Sequence, residues 1–198
     1  ATFTADENQT AIGTVTATDA EGDDITFSIS GTEINIDSSS GVLTFSSAPD
    51  YETKSSYTAT VTASDDTNST NQNITVNINN LNDNAPSFTS NATFTADENQ
   101  TAIGTVTATD ADEDDITFSI SGSEINIDAS SGVLTFASAP DYETKSSYSA
   151  TVTASDGTNS ATQDITITIA DVEENLNAPS FTSSSTFTAD ENQTSIGT

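Results

Sequence analysis

Oxygen donors recur at fixed places along this chain. Glu7 and Glu98 stand in ADEN, Asp19 and Asp110 in ATDA, and Asp65 and Asp156 in ASD. Asp50 with Glu52, and Asp141 with Glu143, stand in PDYE. At residues 79–88 the run NNLNDNAPSF sets Asn80, Asn82, Asp83 and Asn84 almost in succession before Pro86 locks the backbone. Isolated Asp and Asn in turns serve backbone geometry, and Asp66 and Asn68 read that way. Acids that return at the same positions call for another explanation, and a hard, oxygen-seeking cation is the first to consider. The carboxylates of PDYE could instead be a catalytic pair, but an enzyme has little reason to repeat its site in every unit. No aromatic-lined cleft is indicated either.

Composition narrows the chemistry. The chain has 198 residues, and only Lys54 and Lys145 are basic against 31 acids, for a net charge of −29. Such a field repels nucleic acid and anionic lipid, which excludes both as partners, and it attracts cations. Part of the excess also serves solubility in a salty medium. With no Cys there is no disulfide, thiol nucleophile or zinc-thiolate site, and with no His the commonest general base is missing. No run approaches the length of a membrane span, so no membrane contact is expected in this segment.

The elements that must position these acids come in copies. ATFTADENQTAIGT at residue 1 returns unchanged at 92–105, and TFTADENQTSIGT runs from 186 to the end. From 1 to 84, roughly four in five residues match those about 91 positions later. Within a copy the apolar period is two. Ile25, Phe27 and Ile29 share a face, as do Tyr57, Ala59, Val61 and Ala63, while Ile74, Val76 and Ile78 alternate with polar neighbours. INID and VLTF read as two strands around a turn at Gly41. About seven short strands in roughly 90 residues predict an all-β, Greek-key, immunoglobulin-like sandwich with its own core, drawn from Phe3, Ile25, Phe27, Leu43, Phe45, Tyr57 and Val61. The expected organisation is end to end: residues 1–84 form a first domain lacking its N-terminal lead-in, 85–177 a second, and 178–198 the first strand region of a truncated third. Both ends look cut from a longer array.

DENxxxxGT, ATDADEDD, PDYE, VTASD and NLNDNAPSF, in this order and twice over, closely resemble the motifs of the cadherin repeat. The resemblance implies calcium bound at the joint between consecutive domains. Carried over by position, the first joint would draw Glu7, Asp50 and Glu52 from the first domain, and Asn82, Asp83, Asn84 and the Leu81 carbonyl from the linker. Asp110, Asp112 and Asp156 would come from the second domain. A second joint would use Glu98, Asp141, Glu143 and Asp171, and Asp19 and Asp65 would face a preceding domain. Calcium takes about six to eight oxygen ligands in tolerant geometry. Carboxylates about 4 Å apart repel by about 4 kcal/mol per pair at an effective dielectric near 20, so cations are needed to hold them together. The pattern also departs from the family. Asn80 stands where the cadherin linker begins with Asp, which removes one charge. The second linker, DVEENLNAP, carries Glu173 and Glu174 and inserts Leu176 and Asn177.

The function expected is a calcium-stiffened extracellular spacer or adhesion rod, part of a longer cell-surface adhesin of bacterial or marine type, and not an enzyme. Its partners would be calcium ions, neighbouring repeats and possible like chains. An alternative is a calcium-dependent module for polysaccharide or another cadherin-like chain. The cadherin strand exchange that uses an N-terminal Trp is not supported, because the chain has no Trp. A further alternative is a filament subunit whose C-terminal segment, SFTSSSTFTADENQ, adds as a strand to a neighbour; truncation is the simpler account.

Overall fold

The computed structural model describes residues 1–174, 179–182, 185–186, 188–192 and 194. The first unit has seven strands: β1 (Thr2–Asp6), β2 (Ala11–Thr14), β3 (Thr26–Ile29), β4 (Ile34–Ile36), β5 (Val42–Phe45), β6 (Ser56–Ser64) and β7 (Ser69–Asn79). They form two sheets, ordered β1-β7-β6-β3 and β2-β5-β4. Alternating Thr and aliphatic residues favour the extended chain and sort the two faces. On β7, Ile74, Val76 and Ile78 are buried while their Thr and Asn neighbours face out. The long β6–β7 hairpin runs in register from Ser56↔Asn77 to Ser64↔Ser69, and β1 lies parallel to the outer edge of β7. Leu43 and Phe45 of the small sheet meet Val61, Ile74 and Val76 of the large one, and Phe45 packs on Tyr57 with ring centroids 5.0 Å apart. The sandwich expected from the period-two pattern is the fold observed.

The second unit repeats this plan with β9 (Thr93–Asp97), β10 (Ala102–Thr105), β12 (Thr117–Ile120), β13 (Ile125–Ile127), β14 (Val133–Phe136), β15 (Ser147–Ser155) and β16 (Ser160–Ala170). It adds a short ribbon of β8 (Ser87–Phe88) and β11 (Ala108–Thr109). In both units a glycine lets two loops touch. Gly132 has φ +70°, and a Cβ there would lie 2.2 Å from the Val106 carbonyl oxygen; Gly41 repeats the contact with Val15.

One expectation needs correction. Ile25 is half-buried and lies outside the first unit's core cluster, for a reason that emerges below. Past Ala170 no described residue belongs to a strand. TFTAD forms a strand in each unit by pairing in parallel with that unit's own last strand. Residues 175–178, 183–184, 187, 193 and 195–198 of the expected second linker and third repeat lie outside the described residues.

Candidate metal centre

The joint between the units is assembled from segments far apart in sequence. Glu7 directly follows β1, in a turn where Asn8 takes a left-handed backbone (φ 62°) that Asn tolerates better than most residues. The N–H of Asn8 donates to the Pro49 carbonyl at 3.0 Å, which sets Glu7 beneath the PDYE turn. Glu7 is 2% exposed. Its two carboxylate oxygens accept the N–H groups of Tyr51 and Leu81, each at 2.8 Å, so one side chain ties the turn to the linker.

Around this anchor the structure brings Glu7, Glu52, Asp83 and Asp112 together, with one oxygen of each within 4.8 Å of the others. Two come from the first unit, one from the linker and one from the second unit. Asp112 is 6% exposed and receives the N–H groups of Asp83 and Asn84 at 3.0 and 2.8 Å. Burial opposes its charge, but those donors and the Asn84 side chain prevail and hold its carboxyl below the usual range. Glu52 goes the other way. Loss of water at the crowded joint, contact with Asp112 and the charge of Glu7 push it up to about 7. The chain's two lysines are engaged elsewhere, Lys54 with Glu33 and Lys145 with Glu124, each at 2.6 Å.

A second group lies beside the first, on the face of the second unit. Asp110, Asp112 and Asp114 bring their oxygens within the same 4.8 Å. Asp110 Oδ1 accepts the N–H groups of Asp112 and Asp114, and Asp156 Oδ1 accepts those of Thr158 and Asn159. The other oxygen of each carboxylate, Oδ2, is buried with no partner. A buried acceptor left without a donor costs about 1–3 kcal/mol. Burial and the charges of Asp110, Asp112 and Asp156 raise the Asp114 carboxyl above its usual range. The donor set is all oxygen, negatively charged and short of hydrogen-bond donors, which fits a calcium ion.

Amides also cross the joint. Asn80 Nδ2 donates to the Asp112 carbonyl at 2.8 Å, and Asn159 Nδ2 donates to Asn82 Oδ1 at 2.9 Å. Asn8 Nδ2 meets Asp83 Oδ2. Asn80 is therefore more than a missing charge, because its nitrogen supplies a bond that an aspartate could not make. Sequence reasoning missed Asn159 and Asp114. Asn159 has an identical counterpart in Asn68, read as a turn residue, and Asp114 sits in a run of acids where spacing alone does not single it out.

The remaining predicted residues fall in three places. Asp50 gives its oxygens to the N–H and hydroxyl of Thr53, which lower its carboxyl, and it is not one of the first group. Its counterpart Asp141 does join a group, with Glu98 and Glu143. Glu98, 3% exposed, binds the N–H groups of Tyr142 and Val172 as Glu7 binds those of Tyr51 and Leu81. Asn99 contacts Glu174 there, while Asp171 is exposed and outside that group. Asp19 and Asp65 lie at the opposite end of the first unit, where each closes a local turn: Asp19 on the N–H groups of Glu21, Gly22 and Asp23, and Asp65 on those of Thr67 and Asn68.

Residues 92–173 match the family model of the cadherin domain. The second unit matches the cadherin domain. Among solved structures it is similar to EC22–24 of mouse cadherin-23, with a TM-score of 0.76 and 25% identity over 86% of this chain. EC1–2 of human protocadherin-24 gives a TM-score of 0.74 at 20% identity, covering 87% of this chain and 94% of that one. The human desmocollin-1 ectodomain gives 0.68 at 22%, covering 87% of this chain and 41% of that one. The last two likenesses speak to the fold alone. The chain spans 63% of the cadherin-23 structure. A comparison with curated proteins gives no match. Cadherin domains are modules of extracellular adhesive architecture, and calcium binding is characteristic of them.

Proposed function

We propose that this chain is an extracellular spacer whose joints are stiffened by calcium, one stretch of a longer surface adhesin. The observation that carries the reading is the joint itself. Carboxylates from both units and the linker converge within 4.8 Å, and two more keep buried oxygens without donors. Glu7, Glu52, Asp83 and Asp112 would hold one part of the ion cluster, and Asp110, Asp112, Asp114 and Asp156 the other. Asn82, Asn84 and the Leu81 carbonyl would complete the shells. Asp50 would enter only if it gave up Thr53. At the second joint, Glu98, Asp141 and Glu143 would be the starting set, with Asp171 from the linker. Asp19 and Asp65 would serve a preceding repeat. An ion shared by ligands from two units couples their orientation, whereas mutual repulsion of the bare carboxylates loosens it.

The test is small-angle scattering on the whole chain with calcium and with chelator, beside a calcium titration. Calcium should lengthen and narrow the distribution of dimensions, and Asp83→Ala together with Asp112→Ala should remove that response while leaving both units folded. An unchanged envelope with no binding at about millimolar calcium, the weak end of the range for extracellular modules, would overturn the reading.

A further inference from the structure

The two units are near-identical, yet the outward face of their large sheets differs along one strand. On β7 the residues that point away from the core include Asn71, Asn73, Asn77 and Asn79, where β16 carries Thr162, Asp164, Thr168 and Ala170. The outward positions of β1, β6 and β3 are the same in both units, save that Thr58 is matched by Ser149. Solvent exposure alone would spread substitutions over all four strands.

Three of these amides are held one way round. Thr60 Oγ1 donates to Asn73 Oδ1 at 2.9 Å, Thr62 Oγ1 to Asn71 Oδ1 at 2.8 Å, and Ser56 Oγ to Asn77 Oδ1 at 3.5 Å. The hairpin register sets each hydroxyl opposite its amide. An amide whose oxygen is engaged in this way keeps its two Nδ2 hydrogens to give. Asn71, Asn73 and Asn77 are exposed, so those donors meet solvent. Alternate residues of a strand stand about 7 Å apart, so the three amides form a line about 20 Å long. Asn79 is spent, because its Nδ2 donates to Asp6 Oδ1 at 2.8 Å.

Beside this line lies a depression of about 500 Å³, lined by Ser30, Thr58, Thr60, Asn73 and Thr75. Thr58 lies past the last pairing of β3 with β6, Ile29↔Val61, and the chain turns away at Gly31 (φ 87°). Ser30 forms one wall: its N–H donates to the Thr60 carbonyl and its Oγ accepts the Thr60 N–H, each at 2.9 Å. The outward positions of this sheet are Ser, Thr or Asn, with Asp6 at one end as the single acid. A net charge of −29 repels acidic polymers, and both lysines are engaged with glutamates. The face therefore suits a ligand that is uncharged and rich in acceptors.

We propose that this face of the first unit binds a neutral polysaccharide laid along β7. Its hydroxyl and ring oxygens accept from Asn71, Asn73 and Asn77, and one sugar ring occupies the depression beside Asn73. The hydroxyls of Thr58 and Thr75 both donate and accept, as the hydroxyls of the sugar do. The second unit lacks the three amides, and Asp164, which accepts the Thr151 hydroxyl at 2.7 Å, puts a charge where Asn73 stands. The contact needs no metal ion and stands apart from the calcium reading.

Side-chain amide NMR of the whole chain in chelator reads this directly. The probes are neutral gluco-, manno- and galacto-oligosaccharides, with an oligoalginate as the acidic counterpart. The Nδ2 signals of Asn71, Asn73 and Asn77 should move with at least one neutral sugar, while the second unit stays still and oligoalginate moves neither. Asn71→Thr with Asn73→Asp and Asn77→Thr should weaken binding at least about tenfold, since three hydrogen bonds are lost. The second unit shows that a strand with those residues folds. The reverse exchange, Thr162→Asn with Asp164→Asn and Thr168→Asn, should give the second unit the same response. No response to any of the neutral sugars overturns the proposal. So does a response that survives the first exchange, that the second fails to create, or that oligoalginate produces equally. Shifts that follow protein concentration without sugar would mark a second copy as the occupant and overturn it as well.

Discussion

Residues 1–20 and 92–111 are identical in sequence, yet the ends of the units to which they lead differ. In the second unit Val106 and Ala154 are fully buried, and the linker bonds Asp112 and Asn159, which themselves donate to Asp110 and Asp156. In the first unit Ala63 is half-buried, and among the described residues Asp19 and Asp65 bond their own turns. Burial and electrostatic environment here belong to the assembled end, not to the residues that form it. One short segment, from Asn80 to Phe88, makes the difference. Its first half brings donors and acceptors to Asp112 and Asn159, and its last residue covers the apolar floor.

The comparison can be sharpened most strongly at the matched glycines. Gly132→Ala should destabilise the second unit by about 3 kcal/mol, since a Cβ would strike a backbone oxygen at 2.2 Å on a left-handed residue. Gly41→Ala should cost less in the first unit, where Val15 lies beyond the end of β2, lines a hollow of about 180 Å³ and can yield. Unit-resolved hydrogen exchange in denaturant separates the two, and equal losses would show that the open end is as stiff as the covered one. Phe88→Ala breaks the comparison by giving the second unit the first unit's hollow. A loss of about 2 kcal/mol is expected, below the range for a fully buried Phe because Phe88 is half-buried, with the first unit unchanged.

Asn159→Ala should weaken the joint by about 1 kcal/mol in chelator, the value of one amide hydrogen bond. The matched Asn68→Ala should leave inter-unit coupling, read by residual dipolar couplings, untouched. The smallest effect serves as a control. The N–H and hydroxyl of Ser40, with those of Ser39, lower Asp37 from the usual 3.8 to about 2, and Ser131 and Ser130 do the same for Asp128. Both carboxyls are depressed in the folded chain. Their contribution is therefore complete above about pH 4 and is lost as pH falls towards 2. Asp37→Asn and Asp128→Asn should flatten the acid limb of urea midpoints equally, because the two carboxyls accept the same serine bonds in both units.

Much of the fold was legible because a period of two with Thr outward leaves few other ways to bury Ile74, Val76 and Ile78. Four of the acids that converge at the joint, Glu7, Glu52, Asp83 and Asp112, were legible from motif order and family resemblance. The bonds that Thr53, three residues on, makes to both Asp50 oxygens were not legible from the motif. Asn159 could not be distinguished from Asn68 by type or neighbours, since only one of the pair has a linker passing over it. Ile25 failed as a core residue for the same reason.

The sequence by itself determined the strands, the repeat, the excess of negative charge and the motifs rich in oxygen donors. These are local properties of side-chain type and spacing, and they appear equally in both copies. Tertiary structure decided which carboxylates share a space, which oxygens are left buried without donors, and which of two identical apolar floors is closed. Those outcomes depend on segments about 30 to 80 residues apart meeting at one place, and on the removal of water when they do.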